Sequence, residues 1–254
     1  MMRLFSARTL SGPYLEALRL PYRWLLRQEA VVLLVALVIV MALFGFIELA
    51  EELREDEMRS FDEWALHLAR RPDDPARLIG PLWLTESITD ITVLGSPTVL
   101  AIVLLSATGY LVLQSRYDAV ALVVVASAGG GALSVGLKQL FGRGRPDIVP
   151  RLVQVNDLSF PSGHSMVALV IYLTLGALLA RFTTRRRARV YLITNALTLA
   201  FLIGVTRVCL GVHYPTDVLA GWCAGLAWAL LCWLVARYLQ YRGAVEAPVS
   251  QKAK

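Results

Sequence analysis

The sequence predicts an all-α, polytopic membrane protein in which six transmembrane helices form a bundle, with a short interfacial helix between the first two spans. Of the 254 residues, 57% are hydrophobic and only 17% are charged, whereas charged residues make up about 25% of an average soluble domain. The hydrophobic residues also occur in long uninterrupted blocks, and a helix needs about 20 apolar residues to cross the hydrocarbon layer. We therefore expect a bundle of spans without a separate soluble domain.

Six blocks are long and apolar enough to be predicted as spans. They cover residues 30–49, 91–114, 119–137, 163–180, 190–206 and 218–236. The first block is too long for the apolar region of an ordinary signal peptide and lacks a following cleavage site of small residues, so we interpret it as an uncleaved span. The fifth block contains Thr194, Asn195 and Thr198. These polar side chains are expected to face other helices and not lipid.

The distribution of Lys and Arg predicts the orientation of the chain. An even number of spans places residues 1–29 and 241–254 on the same side as the basic run at 185–189. Because cytoplasmic segments carry the excess of basic residues, both termini are predicted to be cytoplasmic segments that flank a six-span domain at 30–240. This is the topology of a multi-pass protein of the cytoplasmic membrane.

Residues 50–90 are predicted to form an interfacial or periplasmic segment between the first two spans. Within it, apolar residues that include Phe61 and Trp64 recur at helical spacing, opposite a polar set that includes Asp62 and Arg70. This amphipathic pattern is typical of a helix that lies on the membrane surface.

The composition does not favour a nucleic-acid partner or a metal centre. The formal net charge of +6 comes from basic residues in short clusters beside apolar blocks, where membrane topology and anionic lipid explain them better. Cys209, Cys223 and Cys232 lie in or next to the last two blocks without CxxC spacing. We interpret them as small hydrophobic residues, not as metal ligands or disulfide partners.

Polar residues cluster at three membrane ends, all on the non-cytoplasmic side in this topology. The clusters are Lys138 with Arg145 after the third span, Ser162 with Gly163 and His164 at the entry to the fourth, and Arg207 with His213 and Asp217 between the fifth and sixth. Together they offer three cations, two imidazoles, one carboxylate and a helix N-terminus to one aqueous pocket. This set of groups suits a phosphate, because Arg and Lys bind its oxygens and a helix N-terminus favours an anion.

The two histidines of these clusters suit phosphoryl transfer, which needs a nucleophile and a proton for the leaving oxygen. His213 lies four residues before Asp217, so the carboxylate can hold one ring nitrogen and leave the other free to attack. Pro215 is suited to the first turn of the following helix. His164 is expected to protonate the leaving alkoxide.

These residues resemble the three-part signature of the type 2 phosphatidic acid phosphatase (PAP2) superfamily. The matching motifs are Lys138 with Arg145-Pro146, Pro161-Ser162-Gly163-His164, and Arg207 with His213 and Asp217, in the order and spacing of that signature. The match covers residues 138–217, and three spaced motifs together are highly specific. One departure is Thr206, where the family motif usually begins with Ser.

The resemblance implies a membrane lipid phosphatase that works without a metal ion or cofactor. It implies that His213 is the nucleophile that forms a phosphohistidine, that Asp217 orients it, and that His164 is the general acid. It also implies that Lys138, Arg145, Ser162, Gly163 and Arg207 bind the phosphate. Membrane members of the family act on phosphatidic acid, phosphatidylglycerol phosphate, isoprenyl diphosphates such as undecaprenyl diphosphate, lipid A phosphates or sphingoid phosphates, and the motifs do not separate these. The active site would face the periplasm or exterior.

The short connection between residues 146 and 161 leaves little room for a lid. We therefore expect a lipid substrate to enter sideways between helices with its chains still in the bilayer. Arg143 and Arg151 lie outside the signature and are interpreted as contacts to head groups in preference to a second phosphate. His67 is interpreted as an interfacial side chain without a catalytic role.

Two other functions remain open from the sequence. The same cations could hold an anion in a transporter or lipid-binding protein, because charges in a membrane also mark transport paths. Alternatively, phosphohistidine chemistry could transfer the phosphoryl group to an acceptor other than water.

Overall fold

The computed structural model describes residues 30–55, 58–155 and 157–242. The predicted cytoplasmic segment at 1–29 lies outside these residues, as does all but the first two residues of the tail at 241–254. Over the described residues the chain forms eight α-helices. They are α1 (Ala30–Glu55), α2 (Arg59–Leu68), α3 (Leu82–Val93), α4 (Pro97–Leu113), α5 (Tyr117–Phe141), α6 (Gly163–Arg181), α7 (Arg186–Cys209) and α8 (Pro215–Tyr241).

Five of these helices, α1, α5, α6, α7 and α8, are long and apolar enough to cross a membrane. Helices α3 and α4 pass the same test together, but they are bent by 50° at their junction. The all-α, polytopic class predicted from the sequence is therefore confirmed. Five continuous helices and one bent pair take the place of six continuous spans.

The predicted second span at 91–114 is interrupted near its start. Its first residues belong to the end of α3, and α4 begins only at Pro97. Ser96 caps α4, since its hydroxyl accepts a hydrogen bond from the Val99 amide at 3.3 Å. Ser at the N-cap followed by Pro at the first helical position is a helix-start signal. Hydropathy alone does not detect it.

Helix α2 corresponds to the predicted interfacial helix, and two residues of the polar set named in the sequence analysis are buried. Phe61 and Trp64 are exposed, whereas Asp62 is fully buried and Arg70 is 3% exposed. Burial of a charged side chain is costly unless it is paired and hydrogen-bonded, and the start of α8 supplies such partners for Asp62. The amphipathic pattern defines two faces of a helix without stating which of them meets the protein.

Helix α6 contacts α5, α7 and α8, and α1 packs along α8. Two glycines allow the backbones of α6 and α8 to approach closely. A Cβ atom at Gly221 would lie 2.7 Å from the carbonyl oxygen of Ser162, and one at Gly225 would lie 2.8 Å from that of Met166. Because backbone atoms cannot turn aside as side chains do, these positions favour Gly. This contact joins the start of α6 to the start of α8.

Replacing Gly221 with Ala should therefore separate the starts of α6 and α8. We expect a loss of about 1–3 kcal/mol in the free energy of unfolding, which is typical of overpacking, seen as a lower midpoint of thermal unfolding in detergent. Gly136→Ala is the matched control, because Gly136 is exposed on α5 and a Cβ there meets nothing within 4 Å. Ala is the better helix former, so the control should be neutral or slightly stabilising. Equal midpoints for the two variants would contradict the close-packing account.

Candidate active site

The predicted site residues lie at one end of the bundle. Lys138 is in the last turn of α5 and Arg207 in the last turn of α7, whereas His164 and Asp217 are in the first turns of α6 and α8. Successive spans run in opposite directions, so the ends of α5 and α7 meet the starts of α6 and α8. Three clusters that are distant in the sequence are brought together in this way.

A cavity of about 750 Å³ connects these clusters. Its polar lining consists largely of Lys138, Arg145, Asp157, His164, Arg207 and His213, with Gly163 beside them. Two predicted site residues, Ser162 and Asp217, are fully buried and lie outside this lining. The cavity continues away from the polar end along apolar side chains of α4, α5 and α6.

Ser162 fixes the start of α6. Its hydroxyl accepts hydrogen bonds from the amide of Ser165 at 3.5 Å and the hydroxyl of Ser165 at 2.9 Å. Its own amide donates to the backbone carbonyl of Asp217 at 2.9 Å. The hydroxyl therefore acts as the N-cap of α6, and the free amides of the first turn, at Gly163 and beyond, remain for an anion.

The two ring nitrogens of His213 contact groups of opposite charge. Nδ1 lies 3.4 Å from Oδ2 of Asp217 and 3.3 Å from the hydroxyl of Ser159, while Nε2 lies 3.2 Å from Nη1 of Arg145. A carboxylate only accepts hydrogen bonds and a guanidinium only donates them. The geometry therefore assigns the proton to Nδ1 and the lone pair to Nε2.

The environment of His213 also sets its charge. The side chain is 1% exposed, and this burial lowers the pKa of His213 to about 4, although Asp217 acts in the opposite direction. The imidazole is neutral at pH 7 as a result. A neutral ring with its lone pair on Nε2 is the form that can attack an electrophile.

Lys138 and Arg145 hold the carboxylate of Asp157 between them. Nζ of Lys138 donates to Oδ2 at 2.7 Å, and Nη2 of Arg145 donates to Oδ1. Burial alone would raise the pKa of Asp157, but the hydrogen bonds and charges of the two cations outweigh it and lower the pKa to about 2. This carboxylate marks a position at which the cavity binds an anion.

Arg207 enters the cavity from α7 and is 2% exposed. Its Nη1 donates to the hydroxyl of Thr92 in α3 at 3.0 Å, whereas its buried Nε has no hydrogen-bond partner among the described residues. The neighbouring Thr206 donates to the carbonyl of Ile203 at 2.6 Å. The Ser-to-Thr departure from the family motif therefore affects a contact inside α7.

The break between α3 and α4 contacts the ring of His164. A Cβ atom at Gly95 would lie 3.3 Å from Cδ2 of His164 and 2.5 Å from the side chain of Ile203. Glycine at this position lets the break pack directly against α6 and α7. The interruption of the second span thus forms one wall of the site.

The interpretation of Arg143 as a contact to lipid head groups was wrong. Its Nη1 donates to Oδ1 of Asp217 at 2.7 Å and to the hydroxyl of Thr216 at 2.8 Å, and its Nη2 donates to Oδ2 of Asp62 at 2.8 Å. The guanidinium also lies over the ring of Tyr214, 4.2 Å from its centroid. The sequence indicated that Arg143 lies in the same connection as Arg145, but not the direction of its side chain. That side chain points to the protein interior.

Comparison with known proteins identifies the family of this chain. The PAP2 superfamily profile matches residues 119–241. Phosphatidylglycerophosphatase B of Bacillus subtilis is 35% identical over 185 residues, which cover 71% of this chain and 86% of that protein. The chain belongs to the PAP2 superfamily. It is a multi-pass membrane enzyme of the PAP2 lipid phosphatase family, and the activity class is that of a phosphoric monoester hydrolase.

Other PAP2 proteins extend the comparison. The crystal structure of a transmembrane PAP2-type phosphatidylglycerolphosphate phosphatase from Bacillus subtilis superposes with a TM-score of 0.70 and 30% identity, covering 78% of this chain and 96% of that chain. The lipid A 1-phosphatase of Rhizobium johnstonii is 38% identical over 115 residues, which cover 41% of this chain and 43% of that protein. The first of these similarities includes nearly the whole solved PAP2 chain.

Four residues at the candidate site were not predicted from the sequence. They are Asp62, Thr92, Asp157 and Ser159. Asp62 and Thr92 precede the region matched by the superfamily profile, and each reaches the site only through tertiary contacts. Asp157 and Ser159 lie a few residues before the Pro-Ser-Gly-His motif, and this proximity was the one available signal for them.

Proposed function

We propose that this PAP2 enzyme removes phosphate from a lipid head group through a phosphohistidine at His213, on the outer face of the cytoplasmic membrane. The observation that carries the proposal is the continuity of one cavity. Its polar end presents Lys138, Arg207 and His213, and its other end is lined by apolar residues of three spans. A molecule that fills both ends has a phosphate at one terminus and a hydrocarbon chain at the other.

The apolar part of the cavity follows α5 into the membrane. Leu100 and Leu104 of α4 face it together with Val124 and Gly131 of α5. Val124 and Lys138 are separated by about 20 Å along the axis of α5, at 1.5 Å per residue. A chain lying along this groove stays at the depth of the hydrocarbon layer while its phosphate reaches the cations. This arrangement supports sideways entry of the substrate.

In the first step, Nε2 of His213 attacks phosphorus in line with the bond to the lipid oxygen. As the N–P bond forms and the P–O bond breaks, His164 gives its proton to the leaving alkoxide, which departs as the lipid alcohol. A dianionic phosphate favours the protonated form of His164, because an opposite charge stabilises a cation. The proton on Nδ1 stays in place, and Asp217 stabilises the positive charge of the phosphorylated ring.

In the second step, water attacks phosphorus and His164 accepts the proton of the water. The N–P bond breaks, orthophosphate is released and His213 returns to its neutral form. The cations Lys138, Arg145 and Arg207 stabilise the charge on the phosphoryl oxygens in both steps. We propose that these three side chains provide the neutralisation without a metal ion.

The first candidate substrate is phosphatidylglycerol phosphate, because the Bacillus relative that this chain matches over most of its length is named for it. Phosphatidic acid and undecaprenyl diphosphate are the other lipids to be compared. The outer-face orientation is supported by the basic run at 185–189, which lies between the end of α6 and the first turn of α7, at the end of the bundle opposite the site. In this orientation, residues 30–240 form the phosphatase domain and both termini are cytoplasmic.

Replacing His213 with Ala should abolish phosphate release, with a loss of at least about 10³-fold because the nucleophile is removed. Orthophosphate release from phosphatidylglycerol phosphate in mixed micelles measures this, and reactions with labelled substrate that are quenched in alkaline detergent, where a phosphohistidine is stable, should trap phosphoprotein in the wild type only. His67→Ala is the matched control, since His67 is an exposed histidine on α2. A His213→Ala variant that retains phosphate release would exclude the mechanism, and a wild type that binds the lipid without releasing phosphate would indicate a transporter.

Asp157 must leave Lys138 and Arg145 before both cations can bind phosphate, and its 61% exposed side chain can turn toward water. Asp157→Asn should therefore strengthen inhibition by orthophosphate, because a neutral amide competes less well for the cations than a carboxylate. We expect the inhibition constant to fall by about 3- to 10-fold, equivalent to roughly 1 kcal/mol for a partly exposed ion pair.

The control for this charge change is Asp147→Asn, because Asp147 is an exposed carboxylate of the same connection. It should leave the inhibition constant unchanged. An Asp157→Asn variant that binds orthophosphate no better than the Asp147→Asn variant would show that the carboxylate does not compete with phosphate.

Enlarging Gly131 should obstruct the groove without disturbing the polar end. Gly131 lines the cavity, a Cβ there meets nothing within 4 Å, and the residue lies about two turns from Lys138. Gly131→Leu should raise KM for long-chain phosphatidic acid by about 10-fold, in line with typical effects of pocket-filling changes. Hydrolysis of a short water-soluble phosphate ester should be slow in the wild type and unchanged in the variant.

Gly136→Leu provides the matched control on the same helix, because Gly136 is exposed and its added side chain also meets open space. Equal KM values for the two variants, or a wild type that hydrolyses soluble esters as efficiently as lipids, would contradict entry along this groove.

A further inference from the structure

Arg143 bridges two buried carboxylates that come from different helices. One side of its guanidinium donates to Oδ1 of Asp217 at 2.7 Å, and the other side donates to Oδ2 of Asp62 at 2.8 Å. The side chains of Asp217 and Asp62 are 0% and 1% exposed, and that of Arg143 is 16% exposed. Arg143 lies outside the residues that line the cavity. It therefore does not contact a phosphate bound there.

Asp62 also caps α8. Its Oδ1 accepts a hydrogen bond from the amide of Thr216 at 3.1 Å, and its Oδ2 accepts one from the hydroxyl of Thr216 at 2.6 Å. Thr216 is in the first turn of α8, where backbone amides have no partner within the helix and a negative charge is favoured. The interfacial helix α2 is thus fixed to the helix start that carries Asp217.

The charges in this chain of contacts stabilise one another. Burial lowers the pKa of Arg143, but the charges and hydrogen bonds of Asp217 and Asp62 outweigh this and raise it, so the guanidinium remains charged. Its planar fork can donate to two carboxylates in a fixed relative orientation, which Lys cannot do. With Oδ1 of Asp217 held by Arg143, Oδ2 faces His213.

We propose that Arg143 and Asp62 are positioning residues for the reaction, which act by fixing the plane of the Asp217 carboxylate and, through it, the ring of His213. This proposal rests on the proposed function of His213 as the nucleophile. Neither residue touches the substrate. Their contribution therefore lies in the rate of phosphoryl transfer and not in substrate binding.

The test compares Asp62→Asn, Arg143→Gln and the double variant, purified as full chains in detergent, with phosphatidylglycerol phosphate in mixed micelles. Each single change should lower kcat by about 10- to 100-fold, as expected for a misplaced catalytic group, with KM within about threefold of the wild type. The double variant should resemble the slower single variant, because residues that act as a unit are not additive. Reactions quenched in alkaline detergent, where a phosphohistidine is stable, should show correspondingly slower formation of phosphoprotein.

Two control variants each remove a charge near one of the tested residues. Glu63→Gln alters the next residue of α2, whose side chain is 37% exposed and paired with Arg59 at 2.8 Å. Arg151→Gln alters an exposed arginine of the same connection as Arg143. Both should retain the kcat of the wild type. All rates are expressed per monodisperse protein from size-exclusion chromatography, so that loss of folded protein is not counted as loss of kcat.

A milder change covers the case in which Arg143→Gln fails to fold. Arg143→Lys keeps the charge but cannot span both carboxylates, and it should also lower kcat with KM unchanged. If folded Asp62→Asn and Arg143→Lys have the kcat of Glu63→Gln, the two residues are structural only and the proposal is overturned. A raised KM with unchanged kcat would also overturn it, because it would assign Arg143 to substrate binding. If His213→Ala retains phosphate release, the proposed function itself fails, whatever these variants show.

Discussion

The buried carboxylate of Asp217 is the constraint on which the rest of the site depends. With 0% exposure, it has no contact with bulk water, so protein donors must satisfy its lone pairs. Those donors are the amide of Tyr214, the hydroxyl of Ser159, the ring of His213 and the guanidinium of Arg143. His213 and Tyr214 directly precede α8, whereas Arg143 and Ser159 come from the connection between α5 and α6. The ring of His213 is therefore fixed only when this connection is docked against the start of α8.

The contact between α6 and α8 serves this docking. The amide of Ser162 donates to the backbone carbonyl of Asp217, and the carbonyl of Ser162 lies against Gly221. The residues on either side of this contact are Ser159, which bonds the Asp217 carboxylate, and His164, the proposed acid. One backbone contact between two helix starts thus sets the relative positions of the proposed nucleophile and the group that protonates the leaving oxygen.

The spans and the cationic end of the site were predictable because hydropathy and motif spacing are local properties of the sequence. Lys138 and Arg207 fall at helix ends once the spans are drawn, and alternation of direction brings those ends together. Side-chain direction is not local, which is why Arg143 was assigned to lipid head groups and the buried contacts of Asp62 were not predicted. The break before Pro97 was predictable in principle from its capping signal. The second span was predicted from hydropathy alone.

The charges around His213 are arranged in two layers. The cavity side has the cations Lys138, Arg145 and Arg207, and the interior side has the carboxylates Asp62 and Asp217 with Arg143 between them. The electric field between the two layers points from the cations toward the carboxylates. It favours the proton of His213 on Nδ1, next to the carboxylates, and the lone pair on Nε2, next to the cations. Asp157 is the anion on the cavity side. In the proposed reaction, phosphate takes the place of this carboxylate. One anion then replaces another and the interior layer is unchanged, so the tautomer of His213 with the proton on Nδ1 is favoured both before and after the substrate binds.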